Sequence, residues 1–177
     1  MIRLFAAIGI PEQIRQRLML LQGGIPGARW SAPENLHITL RFIGEVDDVT
    51  ASDIDGMLET LHMTGFDLTL KGVGLFGGKD PHSLWIGVAP CEGLTRLAAK
   101  IESLLQRMGL EPDARKYTPH VTIARLKDVP QPRLNGFIAD HAVFDSAPFS
   151  VRDFGLYSSH PTAHGSQYVL ERSYALD

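Results

Sequence analysis

Two short segments constrain this chain more than any other feature. His37-Ile38-Thr39-Leu40 and His120-Val121-Thr122-Ile123 share one pattern and stand about half the chain length apart. Side chains alternate faces along a strand, so residues two apart point the same way. In each segment the histidine and threonine therefore share one face, and the aliphatic residues share the other. Ile38, Leu40 and Phe42 suit a core on the first strand, and Val121 and Ile123 suit one on the second. A fold that satisfies both segments needs two half-buried strands, each turning its polar face to a space the core does not fill. One such pattern is weak, because His and Thr are common on half-exposed strands. Two copies, each set in an apolar strand, point to a shared cleft.

The periodicity around the motifs supplies the rest of the frame. Strands are predicted at Ile2–Ile10, Ala28–Trp30, Leu36–Gly44, Phe66–Val73, Ser83–Ala89, Pro119–Leu126, Ala147–Ser158 and Gln167–Ala175. Helices are predicted at Pro11–Gln22, Asp47–Met63 and Glu92–Met108. The last of these is the clearest, with Leu94, Leu97, Ala98, Ile101, Leu104 and Leu105 on one stripe. Gln131 to His141 reads as a short helix or loop, and Ser159–Gly165 as a polar loop between the last two strands. Each half repeats strand, helix and motif-bearing strand, and no linker separates the halves. The expected fold is α+β, one domain over residues 1–177, with two lobes and a cleft between them.

Composition narrows the function. The chain has 177 residues, 44% hydrophobic and 21% charged, enough to bury a core without disulfides or a structural metal. Cys91 is the single cysteine, so no internal disulfide forms, which fits a cytoplasmic setting. It precedes a helix, as a small half-buried residue or cap. No stretch approaches the ~18 apolar residues of a membrane span. The apolar N-terminus runs straight into Pro11-Glu12-Gln13, which reads as a first strand rather than a leader. A net charge of −3 and a pI near 6.1 argue against an extended nucleic-acid footprint. They leave room for a site that grips one phosphate with a few local donors.

Two imidazoles and two hydroxyls facing one ligand suit cleavage of a cyclic phosphodiester. Ring opening needs a base to deprotonate water and an acid to protonate the leaving sugar oxygen. Histidine is the side chain whose ordinary pKa serves both tasks. Threonine hydroxyls can donate to the non-bridging phosphate oxygens. Strain in the five-membered ring lowers the barrier, so no metal or other cofactor is expected.

The flanks carry a resemblance. Trp30-Ser31-Ala32-Pro33-Glu34-Asn35-Leu36 precedes the first motif and Arg41-Phe42-Ile43-Gly44-Glu45 follows it; Tyr117-Thr118-Pro119 and Ala124-Arg125 flank the second. With Arg3–Ile8 and Trp85-Ile86-Gly87-Val88, these segments resemble the 2H phosphoesterase superfamily, and within it the RNA 2′,3′-cyclic phosphodiesterase (2′-5′ RNA ligase) family. The likeness spans nearly the whole chain. It implies antiparallel sheets in two lobes, with His37 as proton donor to the leaving 3′ oxygen and His120 as the proton acceptor that activates water. It implies a 2′-phosphomonoester product, an ATP-independent 2′-5′ ligation as the reverse type of reaction, and Thr39, Thr122 and Arg125 as phosphate contacts. Spacing alone does not say which histidine is the acid.

Arg125 meets an objection from strand parity, since it falls with Val121 and Ile123 unless the strand bends or bulges. Arg41 has the parity of His37 and Thr39, and a solvated strand position is its simpler reading. Phe76, beside Gly77-Gly78, and Tyr117 are candidates for stacking on a base; Phe42 and Trp30 read as packing. His62 reads as a surface residue near a helix end. His160 and His164 share a loop and lack a third metal ligand. His82 stands where the family often has arginine, which puts in doubt any contact carried over to that position. Gly72-x-Gly74-x-x-Gly77 matches a dinucleotide spacing but opens no helix. The expected partner is an RNA end with a 2′,3′-cyclic phosphate, for a monomer with no membrane contact. The alternatives are a phosphodiesterase for small cyclic nucleotides, such as nucleoside or ADP-ribose cyclic phosphates, and a non-catalytic RNA- or nucleotide-binding module.

Overall fold

The apolar N-terminus forms β1 (Ile2–Gly9), in which Leu4 to Ile8 are all buried, as befits a strand covered on both faces. A computed structural model describes all of residues 1–177. After β1 come α1 (Glu12–Leu21), β2 (Arg29–Trp30), a 3-10 turn at Pro33–Asn35, β3 (His37–Val46), α2 (Asp48–Glu59), β4 (Phe66–Leu68), β5 (Leu70–Phe76) and β6 (Ser83–Val88). The second half continues with α3 (Glu92–Arg107), β7 (His120–Arg125), α4 (Gln131–His141), β8 (Phe149–Val151), β9 (Asp153–Thr162) and β10 (Gly165–Ala175). Two antiparallel four-stranded sheets result, ordered β10-β9-β1-β3 and β2-β7-β6-β5, with β4 and β8 paired separately. The architecture is α+β and bilobal, and β3 of one sheet lies against β7 of the other. No helix is long and apolar enough to cross a membrane.

The apolar stripe of α3 is buried at all six expected positions. One cluster of 37 buried residues joins that stripe to Ile38 and Leu40 of β3 and to Val121 and Ile123 of β7. Cys91 sits at the N-cap of α3, half-buried, with its thiol 3.5 Å from the Asp67 carbonyl. The Asp47 carboxylate caps α2 by accepting from the Thr50 N–H at 2.7 Å.

Four expectations change. The strand predicted over Ala147–Ser158 divides at Arg152, because β8 pairs with β4 while β9 pairs with β1 and β10. The strand predicted over Phe66–Val73 divides at Thr69, because β4 pairs with β8 while β5 pairs with β6. Leu68 and Leu70 are both buried, so side-chain alternation runs through a change of partner that it does not encode. Helix α2 stops at Glu59, where the Thr60 hydroxyl donates to the Met57 carbonyl, although Leu61 and Met63 remain buried beyond the helix. The polar stretch from Ser159 to Gly165 is a hairpin rather than a loop: β9 runs to Thr162 and β10 begins at Gly165. The Thr162 hydroxyl ties the turn by donating to the Gly165 carbonyl. This hairpin tip is exposed on both faces, so its sequence lacks the apolar alternation of a half-buried strand.

Arg41 is neither solvated nor in the cleft. Its guanidinium pairs with Glu102 on α3 and donates to the Glu111 carbonyl at 2.6 Å, and its side chain is 10% exposed. Replacing Arg41 with alanine leaves the half-buried Glu102 carboxylate only the Gln106 amide and the Asp113 N–H as donors and removes hydrogen bonds to charged groups, each worth ~1.5–3 kcal/mol. Urea denaturation of Arg41→Ala should show a loss of about that size, and Glu102→Ala should cost less in that background than in wild type.

Candidate active site

The site is built on the register of two strand pairs. In one sheet, Phe5, Ala7 and Gly9 of β1 lie opposite Phe42, Thr39 and His37 of β3. In the other, Ser83, Trp85 and Gly87 of β6 lie opposite Arg125, Thr122 and His120 of β7. Residues two apart on β1, or on β6, share a face, and directly opposed residues share it too. His37, Thr39 and Phe42 therefore share one face, as do His120, Thr122 and Arg125. Simple alternation would not place the third member of either set there. Each strand has an extra residue directly after its threonine, Leu40 in β3 and Ile123 in β7, and β3 has another farther on, at Ile43. Such a bulge inverts the parity beyond it. This brings Arg125 onto the face of His120. It also overturns the core reading of Phe42, which is 51% exposed and packs its ring against Phe5 at 6.0 Å, and it turns Arg41 toward α3.

Each histidine is held the same way. His37 Nδ1–H donates to the Asn35 carbonyl at 2.7 Å, and His120 Nδ1–H donates to the Thr118 carbonyl at 2.7 Å. A carbonyl only accepts, so Nδ1 carries the proton and Nε2 of the neutral ring is an acceptor. The 3-10 turn at Pro33–Asn35 and the Thr118-Pro119 step present those carbonyls two residues before each ring. The Thr39 hydroxyl lies 3.0 Å from His37 Nε2 and donates to it when the ring is neutral.

Aromatic walls flank both rings. Phe5 and Tyr168 lie 5.1 and 5.2 Å from His37, the latter edge-on. Phe76 and Trp85 lie 4.8 and 5.8 Å from His120. Gly74 faces Trp85 across the β5–β6 pair, and a Cβ there would fall 2.2 Å from the indole. The apparent dinucleotide spacing thus includes a glycine that makes room for the wall of His120. Tyr117 bridges the two motifs: its hydroxyl donates to the Thr39 carbonyl at 2.9 Å and its ring packs on the core. That fixed, part-buried position makes it a clamp between the lobes rather than an open stacking face.

Burial dominates the electrostatics. His37 is pushed down to about 4, chiefly by desolvation, with the Asn35 bond opposing and nearby His120 and Arg125 adding to the shift. His120 is held below its ordinary value by desolvation, with its Thr118 bond opposing and Arg125 again contributing. Arg125 is thus near enough to act on both rings.

The remaining histidines lie elsewhere. His62, His82, His160 and His164 are exposed. His141 ends α4 against Phe137. His160 Nε2–H donates to Ser158, whose hydroxyl in turn donates to Glu171. No group of three or more His, Cys, Asp or Glu side chains is placed to hold a metal ion. Ser31 is a contributor that the sequence did not single out. Its hydroxyl donates to the Thr122 carbonyl at 3.0 Å and its N–H to the Ile123 carbonyl at 2.9 Å, fixing β7 at its bulge. It sits in an ordinary turn cluster, and nothing local distinguishes it.

Comparison with known proteins agrees with the duplicated geometry. The model of the family described as LigT-like phosphoesterase matches twice in tandem, over residues 8–85 and 86–168. A protein of Archaeoglobus fulgidus named RNA 2′,3′-cyclic phosphodiesterase is 32% identical over 94% of this chain and 96% of its own length. One of the same name from Thermotoga maritima is 33% identical over 95% and 92%. The crystal structure of Escherichia coli LigT complexed with 3′-AMP superimposes with a TM-score of 0.81 at 27% identity, covering 99% of this chain and 98% of that one.

The depressed histidines have a measurable consequence. The unfolded chain binds a proton at His37 near its ordinary value of 6.5, whereas the folded chain binds it near 4. As pH falls through that window the unfolded state takes up the proton first, so stability drops; above it the residue contributes no slope. Denaturation midpoints of wild type and His37→Asn should converge as pH falls from 6.5 to 4. NMR titration should place the His37 midpoint near 4, raise it on adding inorganic phosphate, and raise both histidine midpoints in Arg125→Ala. Parallel stability curves, or midpoints indifferent to Arg125, would contradict this electrostatic account.

Proposed function

The chain belongs to the LigT-like phosphoesterase family, and from that premise we propose that it is an RNA 2′,3′-cyclic phosphodiesterase that leaves a 2′-phosphate. The observation that carries the reading is the pair of register-equivalent His-Thr sets, each with its imidazole locked at Nδ1. The names of the relatives supply the substrate.

In the proposed reaction the cyclic phosphate lies between β3 and β7. The Thr39 and Thr122 hydroxyls and the Arg125 guanidinium hold its non-bridging oxygens, where negative charge grows. His120 Nε2 takes a proton from water as the water oxygen bonds to phosphorus. The bond from phosphorus to the 3′ oxygen breaks, and His37 delivers its Nε2 proton to that oxygen. The two rings then exchange their proton through solvent and are ready again. His37 must be cationic at the start, which the empty site disfavours. The phosphate anion reverses this by offsetting the cation of Arg125. A 5′-hydroxyl in place of water would give a 2′-5′ linkage, driven by release of ring strain. Phe76, edge-on to His120, offers a wall for the terminal base. We further read the protein as a cytoplasmic monomer, a setting that a lone half-buried Cys91 suits.

Purified protein in EDTA should open RNA ending in a 2′,3′-cyclic phosphate and release only the 2′-phosphate; no ring opening would refute the proposal. His37→Ala and His120→Ala should each lower kcat by at least ~10²-fold with an unchanged circular dichroism spectrum. A substrate with sulfur at the 3′ bridging position separates the roles, because a thiolate leaves without a proton. It should restore most of the rate to His37→Ala and little to His120→Ala. The opposite pattern would exchange the assignments.

A further inference from the structure

Arg29 pairs directly with Arg125 across β2 and β7. Directly opposed residues of an antiparallel pair share a face, with Cβ atoms about 4.5–5.5 Å apart. The neighbouring residue fixes which face this is. Trp30 lies opposite buried Ala124 and packs its ring on Phe137 of α4, at 5.7 Å. Arg29 therefore points away from α4, to the side of His120, Thr122 and Arg125. Across the sheet the row reads Arg29, Arg125, Ser83, Phe76. It ends on the ring that abuts His120.

This placement is unfavourable in the empty protein. Like charges directly opposite one another destabilise a sheet, and neither arginine has a carboxylate partner. Both are exposed, in a chain of net charge −3. Two adjacent unpaired guanidiniums at the mouth of a cleft are a receptor for anions. They are not equivalent. Arg125 lies on the strand of His120 and acts on both histidines, whereas Arg29 lies on β2, the edge strand beyond β7. Arg29 therefore stands one strand, about 4.8 Å, farther out.

We propose that Arg29 holds the phosphodiester on the 5′ side of the terminal nucleotide, and so makes the site prefer an RNA end over a free cyclic nucleotide. The inference rests on the cyclic phosphodiesterase reading above. Successive phosphates of a single strand are separated by one sugar, a span that two long guanidinium side chains on neighbouring strands cover. With Arg125 on the reacting phosphate, Arg29 meets the next one. A nucleoside 2′,3′-cyclic phosphate has no second phosphate and leaves Arg29 without a partner.

The test compares three substrates: a nucleoside 2′,3′-cyclic phosphate, a dinucleotide ending in the cyclic phosphate, and the same dinucleotide with a neutral methylphosphonate linkage. In wild type, KM should favour the charged dinucleotide over the methylphosphonate by about tenfold, the ~1.4 kcal/mol of one good charged contact. Arg29→Ala should bring that ratio close to one, acting on KM far more than on kcat, and Arg29→Lys should keep most of it. The slope of log KM for the charged dinucleotide against log salt should fall by about one in Arg29→Ala. Its thermal midpoint should not drop, because the substitution relieves a repulsion. An unchanged ratio, or an equal loss on all three substrates, would overturn the proposal, the second result placing Arg29 on the reacting phosphate or in support of β7. If wild type opens none of the three, the phosphodiesterase reading fails by itself. The subsite is then judged from binding of a dinucleotide ending in a 2′-phosphate against its methylphosphonate, where loss of discrimination in Arg29→Ala supports it and retention refutes it.

Discussion

A single inserted residue after each threonine organises this molecule. Leu40 and Ile123 each add one position to a strand whose partner adds none. A bulge interrupts the ladder and bends the strand, so it forgoes regular pairing. What it gains is a third side chain on the face that already carries histidine and threonine. In β7 that residue is Arg125; in β3 it is Phe42. The same inversion turns Arg41 toward α3, where it pairs with Glu102 and fastens β3 to the helix behind it. Site and scaffold are thus set by one local irregularity, used twice. Both bulges are anchored from outside the strand. The Ser31 N–H holds the Ile123 carbonyl, and the Tyr117 hydroxyl holds the Thr39 carbonyl from the other lobe.

The electrostatic state of the empty cleft follows from that arrangement. Two half-buried imidazoles near one guanidinium cannot readily charge, and both are held below their ordinary values. Their Nδ1 bonds oppose this, but burial outweighs them. The empty protein therefore holds two bases, and acid catalysis has to await an anion. In the proposed reaction this coupling ties chemistry to occupancy: the proton needed by the leaving group is recruited by the charge of the phosphate it serves. The proposed reaction needs unlike roles from symmetrical motifs. The rings differ in burial and in local partners, since Thr39 lies within hydrogen-bond reach of His37 Nε2.

How much of this was legible in the sequence depends on which interactions are local. The His-Thr pairs were legible because alternation over three residues survives any tertiary context. Helix α3 was legible because six apolar residues at helical spacing admit one buried face. The bulges were not, since Leu40 and Ile123 are ordinary aliphatic residues and their extra position exists only relative to β1 and β6. Every error of facing follows from that: Phe42 assigned to the core, Arg41 to solvent, Arg125 held back by parity. Changes of strand partner at Thr69 and Arg152 were hidden for the same reason, because alternation records a face and not a neighbour. Arg29 and Ser31 carry no local signal, because their significance lies in which residues of β7 they oppose, a relation between segments roughly ninety positions apart.

The two halves use one backbone plan with different side chains at its outer position, and this difference bears on how a substrate lies. Phe42 continues into Phe5, Tyr157 and Leu170 across one sheet, a row of rings and an aliphatic side chain without a charge. Arg125 continues outward to Arg29 and inward to Ser83 across the other. A phosphodiester bound between equivalent histidines would thus meet charge on the β7 side and rings on the β3 side. The nearest cations favour seating the phosphate toward β7, with its non-bridging oxygens on Thr122 and Arg125. The leaving sugar oxygen is then turned toward His37 and its aromatic surround. That orientation is the one the proposed reaction needs for His37 to be the acid, and the argument for it rests on the distribution of charge. Exchanging the two outer residues, Phe42→Arg with Arg125→Phe, moves the charge to the other lobe while leaving both His-Thr pairs intact. If charge placement decides the roles, rescue by the sulfur-bridged substrate moves from the His37 variant to the His120 variant in that background. If the roles stay where they are, the difference in burial between the rings decides them instead.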